Sequence, residues 1–254
     1  MDEFSGKYRL LDNEQPRSGT FGYVWKAELT GSLAAGKFVA IKRPKATDLD
    51  VEAFEREAKQ LVKFSHPNIV AVLDADHDDT GPYLVMDWVE DNLSTILKAG
   101  PLDWKKALRY ALDAANGLRY AHTNDGANPV IHNDIKPGNL LLTANDVVQV
   151  CDFGICKTLS STGSASSSFG LTGTPPYMSP EQITGDPIDE RSDIYSLGIT
   201  LYEMLVGHVP FQEENPYLLM KQIVSSDLPD LRTEVSDIPG SVVKIVEKAT
   251  QKVK

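Results

Sequence analysis

Hydrophobic positions change their period part-way along this chain. In the first third they fall in short strand-like runs. Tyr23 to Leu29 and Phe38 to Lys42 read as strands, and the small, Gly-bearing stretch Thr30–Gly36 between them suits a hairpin loop. Phe54, Ala58 and Leu61 recur at i, i+4 and i+7, which predicts one helix with Asp48 or Asp50 capping its start. Two short apolar strands, Ile69 to Leu73 and Tyr83 to Met86, follow His66-Pro67. From Leu93 the pattern turns mostly helical. Leu108, Ala111, Leu112, Ala115 and Leu118 form a helical stripe within Trp104 to His122. Leu140 to Leu142 and Val147 to Cys151 interrupt it as two short strands. Arg191 to Gly207 carries Ile194, Leu197, Ile199, Leu201 and Leu205 with little polar face, and so predicts a buried helix. A β-rich first part and a helix-rich second part imply an α+β chain of two lobes. Their join is expected near Asp87 to Asp91, and a cleft at such a join is a usual ligand site.

Composition narrows the function classes. At 254 residues and 41% hydrophobic, the chain can bury a sizeable core without disulfides. A net charge of −11 argues against a broad nucleic-acid or anionic-membrane surface. It leaves room for a local basic pocket. Cys151 and Cys156 are too few for a disulfide scaffold or a zinc site and read as free thiols in a reducing cytosol. The polar start, Met1 to Tyr8, lacks the regions of a signal peptide, and no run of eighteen apolar residues exists to span a membrane. The expected location is cytoplasmic.

Four short motifs then occur in one order. Ser18-Gly19-Thr20-Phe21-Gly22-Tyr23-Val24 sits between predicted strands, where a Gly-bearing turn lets backbone N–H groups approach phosphates. Alone it is a weak signal, since a plain hairpin has the same look. Val39-Ala40-Ile41-Lys42 places a lysine among apolar neighbours, and Glu57, fifteen residues on, could meet it as an ion pair. A snorkelling lysine and a solvated glutamate are the bland readings. His132-Asn133-Asp134-Ile135-Lys136-Pro137-Gly138-Asn139 is far more specific. Asp134 can accept or orient a hydroxyl proton, Asn139 offers a neutral oxygen to Mg²⁺, and Lys136 can neutralise a transferring phosphoryl group. The carboxylate of Asp152-Phe153-Gly154 is a hard oxygen ligand suited to the same ion.

These motifs resemble the eukaryotic-type serine/threonine protein kinase family across essentially the whole chain. The resemblance implies a bilobal protein-kinase-like fold: an N-lobe over 1–86, a hinge over 87–91, and a helical C-lobe over 92–254, truncated at its C-terminal end. It implies ATP and Mg²⁺ as cofactors. Lys42 would hold the α- and β-phosphates and pair with Glu57, and Gly19 and Gly22 would cover the phosphates. Met86 would be the gatekeeper, with Asp87 to Val89 binding adenine through the backbone. Val24, Ala40 and Leu141 would sandwich the ring. Asp134 would be the catalytic base, with Asn139 and Asp152 on magnesium. Leu61, His132 and Phe153 would stack into a hydrophobic spine. Gly173-Thr174-Pro175-Pro176-Tyr177-Met178-Ser179-Pro180-Glu181 resembles the end of an activation segment, and Thr174 with Lys136 marks serine/threonine specificity. Asp193 and Gly198 match the buried helix that anchors the catalytic loop. The partners implied are a protein substrate with a Ser or Thr acceptor and, as in many such kinases, a second copy of the chain.

The chain departs from the family in three places. Arg17 stands at the first glycine of the G-x-G-x-x-G pattern, which predicts either weaker ATP affinity or an Arg that helps a phosphate. Asn133 replaces an Arg that pairs with an activation-segment phosphate. Activity is therefore expected not to depend strictly on phosphorylation there, although Ser160 to Ser168 and Thr172 invite autophosphorylation. No Arg near the end of the chain matches the family's partner for Glu181. Two other readings compete. A pseudokinase draws support from Arg17 and Asn133 and would bind nucleotide without turnover. A small-molecule phosphotransferase shares the looser H-x-D-x-x-x-x-N loop but generally lacks the Thr174 to Glu181 segment.

Overall fold

The computed structural model describes residues 3–4, 6–11, 16–18, 22–30, 36–45, 51–123, 129–153 and 174–252. Two compact units divide the chain, one within Met1–Val89 and the other comprising Glu90–Phe153 with Ser167–Lys254. The expected Thr30–Gly36 loop, the Asp48 or Asp50 cap, Cys156 and the Ser160–Ser168 stretch lie wholly or mostly outside the described residues.

The first unit is an antiparallel sheet. Its strands are β1 (Glu3–Phe4), β2 (Tyr8–Leu10), β3 (Arg17–Ser18), β4 (Gly22–Leu29), β5 (Phe38–Pro44), β6 (Val72–Asp78) and β7 (Gly81–Asp87). The order is β1-β2-β4-β5-β7-β6, with β3 paired to β4. One helix, α1 (Val51–Leu61), buries Phe54 and Ala58 as its spacing predicts. Residues opposite one another in an antiparallel ladder share a face, so the register sorts the side chains. Tyr8, Ala27, Val39, Ile41, Tyr83 and Val85 form one core cluster, with Leu10 and Leu29 packed against it.

The third expected strand is shifted. The ladder begins at Val72 rather than Ile69. A turn closed by Ile69 N–H on the His66 carbonyl (3.0 Å) precedes it, and buried Ile69 makes only an isolated bridge. Val72 pairs with Met86 but Asp74 with Val85, so Leu73 is the extra residue of a bulge, which accounts for its exposure. The strand that follows, Val-Leu-Asp-Ala-Asp-His-Asp, gave no apolar signal because it is the sheet's edge, where charge blocks pairing with another chain.

The second unit joins a small sheet to a set of helices. Strands β8 (Asp91–Asn92), β9 (Leu140–Leu142) and β10 (Val148–Val150) pair in the order β10-β9-β8. The helices are α2 (Leu93–Leu97), α3 (Trp104–His122), α4 (Pro180–Thr184), α5 (Glu190–Val206), α6 (Pro216–Ser225), α7 (Leu231–Glu234) and α8 (Gly240–Ala249). Side chains of Asn92, Asp103, Ser179, Asp189, Asn215 and Asp230 cap six of these starts. Gly207, at φ 93°, ends α5 in the left-handed conformation that glycine adopts without strain.

The buried stripe of α3 differs from the expected one. It runs Ala107, Tyr110, Ala111, Ala114, Gly117, Leu118 and Ala121, while Leu112 is exposed. Five of these seven are alanine or glycine, and Ala111 and Leu118 are shared with the expected stripe. Helix α5 is buried nearly all round, as expected, except that Ile194 is 40% exposed. A Cβ at Gly198 would lie 2.8 Å from the Thr250 Cγ2 and 2.9 Å from the Ala249 Cβ, so glycine here sets the closeness of α5 and α8.

Candidate active site

In the first unit the register gathers most of the residues expected at a nucleotide. Arg17 lies opposite Val24, Val24 opposite Lys42, and Lys42 opposite Leu84. Two positions along, Lys26 faces Ala40 and Ala40 faces Met86. All these side chains share the sheet face turned away from the Ala27–Val39–Ile41–Val85 cluster. Lys42 is 6% exposed, an unusual degree of burial for a lysine stem and head. Asp87 ends β7 and ion-pairs with Lys37. Val89 follows, half-buried. Gly22 shows a reason for glycine beyond loop freedom. A Cβ there would sit 2.5 Å from the Arg43 carbonyl oxygen, so only glycine admits this approach of β4 to β5. Gly19 lies outside the described residues. Glu57 is on α1, but its side chain is not among those described.

In the second unit, four expected residues meet at one carboxylate. Asp134 is buried, with its side chain 3% exposed. Lys136 Nζ lies 2.8 Å from the Asp134 Oδ2 and donates to the Thr174 Oγ1 at 2.6 Å. The Thr174 hydroxyl in turn donates to the Asp134 Oδ1 at 3.2 Å. Asn139 gives both amide hydrogens to Asp134, to the main-chain oxygen at 2.8 Å and to Oδ2 at 3.0 Å. Its Oδ1 is thereby turned away and accepts no hydrogen bond among the described residues. This is the orientation a hard cation requires of an amide ligand.

The backbone around this carboxylate is fixed by one buried anion. Asp193, in the first turn of α5, is fully buried. Its Oδ2 accepts from the His132 N–H and from the His122 Nε2–H, and its Oδ1 from the Asn133 N–H, each at 2.8 Å. Asn133 is held at φ 63°, a left-handed conformation that asparagine tolerates and an arginine would adopt less readily. Its carbonyl accepts from Gln182 Nε2 at 3.0 Å, while Gln182 Oε1 completes the capping box with Ser179. His132 accepts the Asp134 N–H on Nδ1 at 3.2 Å. That leaves the ring proton on Nε2, which donates to the Cys151 carbonyl at 2.7 Å.

The same ring leads to Asp152. The centroids of His132 and Phe153 are 4.9 Å apart and tilted at 57°. Cys151 N–H donates to the Asn139 carbonyl at 3.0 Å. Asp152 thus sits between two residues tied to this loop, at φ 65°, and with Asn133 and Asp146 is one of three described non-glycine residues in left-handed space. Positive φ at non-glycine residues concentrates where a side chain must be aimed. Leu141, on β9 between Asn92 and Gln149, is half-buried. Leu61, expected to stack with His132 and Phe153, belongs to the first unit.

His122 and Gln182 were not singled out from sequence. Each is an ordinary polar residue at the end or start of a helix. Only their register against the loop gives them a role. Glu181 accepts from the Ser192 Oγ at 2.5 Å, a contact the sequence also did not suggest. Among the described residues no group of three His, Cys, Asp or Glu could hold a metal, so a cation here would rest on mixed ligands.

The protein kinase domain family matches residues 17–252. Over 244 residues the chain is 36% identical to serine/threonine-protein kinase PknB of Mycobacterium tuberculosis, covering 90% of this chain and 38% of that protein. Over 254 residues it is 34% identical to serine/threonine-protein kinase PrkC of Bacillus subtilis, covering 98% of this chain and 38% of that protein. The chain therefore spans well under half the length of these relatives. The family model matches nearly the whole chain, and this chain belongs to the protein kinase domain family.

Proposed function

We propose that this domain transfers the γ-phosphate of Mg-ATP to serine or threonine hydroxyls of proteins, its own included. The observation that carries the reading is the convergence of Lys136, Thr174 and Asn139 on Asp134. The acceptor hydroxyl lies against the Asp134 carboxylate. Its oxygen attacks the γ-phosphorus as the bond to the β–γ bridging oxygen breaks, ADP leaves, and the hydroxyl proton passes to Asp134. Lys136, already beside that carboxylate, offsets charge on the moving phosphoryl group. Thr174 ties the start of the substrate-docking segment to the same two side chains.

Asn139 and Asp152 would hold magnesium, which supplies neutralisation of phosphate charge. The free Oδ1 of Asn139 and the hard-oxygen character of both ligands fit that ion. On the first unit, Lys42 takes the α- and β-phosphates, with Glu57 as its partner on α1 and Gly19 and Gly22 over the phosphates. Val24, Ala40 and Leu141 flank adenine, Met86 is the gatekeeper, and the backbone of Asp87 to Val89 reads the base edge. Residues 1–86 then serve as the N-lobe, 87–91 as the hinge and 92–254 as the C-lobe. A need for ATP would be met in the cytoplasm, which supports that location for the domain. Among the described residues no helix is long and apolar enough to cross a membrane.

The test is transfer of labelled phosphate from Mg-ATP to the protein itself and to a generic basic protein, with phosphoamino-acid analysis. Label is expected on Ser or Thr. Asp134→Asn should lower turnover by a factor of about 10³ or more while ATP still raises the melting temperature. Equal turnover in the variant refutes the role of Asp134. Nucleotide binding without transfer in the unmodified protein favours a pseudokinase.

A further inference from the structure

We propose that Arg17 is a nucleotide-positioning residue that acts through Trp88. The inference rests on the kinase reading above. Arg17 occupies the first position of the glycine motif and is exposed, so its side chain would ordinarily range through water. Instead its guanidinium carbon lies 4.6 Å from the centroid of the Trp88 ring. Indole is the strongest ring partner for a cation. The same ring has the Lys26 Nζ at 4.9 Å, and that ammonium lies 4.9 Å from the Phe38 ring as well. Two cations and two rings thus form one cluster, wholly within the first unit.

The place of this cluster gives it a function. Arg17 and Lys26 share the sheet face of Val24, Ala40, Lys42 and Met86. Trp88 comes directly after β7, between the two residues whose backbone is assigned to adenine. Strand β3 is only two residues long and pairs with β4 alone. The Arg17–Trp88 stack gives so short a strand an anchor besides that ladder. The stack fastens the entrance of the glycine motif to the segment that reads the base. Order present before binding is order that the nucleotide does not have to impose, which strengthens binding. The loss of glycine at position 17 is then a gain of preorganisation. The guanidinium is engaged by the Trp88 ring.

The experiment measures the dissociation constant of fluorescent methylanthraniloyl-ADP, and the ATP KM and kcat, for the whole chain and its variants. Arg17→Ala and Trp88→Leu should each weaken nucleotide binding about two- to fivefold, the size of an exposed cation–π contact. The double variant should be no weaker than Trp88→Leu alone, and Trp88→Phe should recover most of the affinity. The change should appear in KM and leave kcat within about twofold, as loss of uniform binding does. Melting temperatures within a few degrees of the unmodified protein verify that each variant folds. Unchanged or tighter binding in Arg17→Ala overturns the proposal. So do effects of the two single variants that multiply, since a shared contact cannot be lost twice. An unmodified protein that binds no adenine nucleotide overturns the kinase reading, and this proposal with it. Normal binding with independent effects overturns this proposal alone.

Discussion

Asp193→Asn is the sharpest test of how the catalytic loop is held. The carboxylate is fully buried and faces three donors at 2.8 Å, two on Oδ2 and one on Oδ1. Asparagine keeps the shape but offers one acceptor oxygen and one donor amide. In its better orientation the oxygen meets the His132 and His122 donors, and the amide faces the Asn133 N–H. Charge-assisted bonds contribute about 1.5–3 kcal/mol and neutral ones about 0.5–1.5, so two weakened bonds cost roughly 2 kcal/mol. The third becomes a donor against a donor and leaves a buried N–H unpaired, for about 1–3 kcal/mol more. A total near 4 kcal/mol is a large share of the roughly 5–15 that a domain possesses. At about 2–4 °C per kcal/mol for a chain of this size, the melting temperature should fall by roughly 8–16 °C. Well below both midpoints the folded variant should also turn over about a hundredfold more slowly. Asn133 would then lose what holds it at φ 63°, and Asp134 follows it in the chain. Thermal unfolding by circular dichroism, with phosphate transfer measured at low temperature, reads both effects. A variant that melts within about 3 °C of the unmodified protein and retains full turnover would refute this anchoring.

Three further outcomes follow from particular contacts. Gly198→Ala should destabilise by about 1–3 kcal/mol in urea unfolding, because its methyl meets Thr250 and Ala249 at under 3 Å; an unchanged midpoint would mean α5 and α8 part freely. Glu203, which accepts the Tyr177 hydroxyl at 2.7 Å, has its pKa raised mainly by burial, against the lowering effects of that bond and of His208. A raised acid pKa means full stability below the unfolded value, lost as pH rises through the folded one. Glu203→Gln should therefore melt higher than the unmodified protein at pH 7.5, with the gap closing toward about pH 4; a gap constant with pH would exclude ionisation as the cause. Alanine at every Ser and Thr from Ser160 to Thr172 should leave substrate phosphorylation within about threefold, since Asn133 cannot form a charged pair with a phosphate; abolished activity restored by acidic replacements would contradict it.

The site was legible in sequence to the extent that chemistry demands particular residue types at short range. Asp134, Lys136 and Asn139 stand within six residues, so one loop delivers them together, as their spacing suggests. What holds that loop was legible only through family resemblance. Asp193 lies sixty-one residues from His132, and nothing in local spacing links a carboxylate in one helix to two backbone amides in another segment. The same limit explains the errors in the fold. The expected stripe of α3 holds at Ala111 and Leu118 but not at Leu112, because most of the other buried positions are alanine or glycine, which a hydrophobicity pattern weights little. The apolar run Ile69 to Leu73 enters the strand only at Val72 and Leu73, and the ladder continues through aspartates at an edge. Long-range register thus decides what local pattern cannot. Arg17 illustrates it most directly. Along the chain it is a broken glycine motif, but across the sheet it lies two strands from Lys42 with its guanidinium over Trp88. A substitution that appears as damage in one dimension is a contact in three, and that difference is what the nucleotide-binding measurements on Arg17 and Trp88 would register.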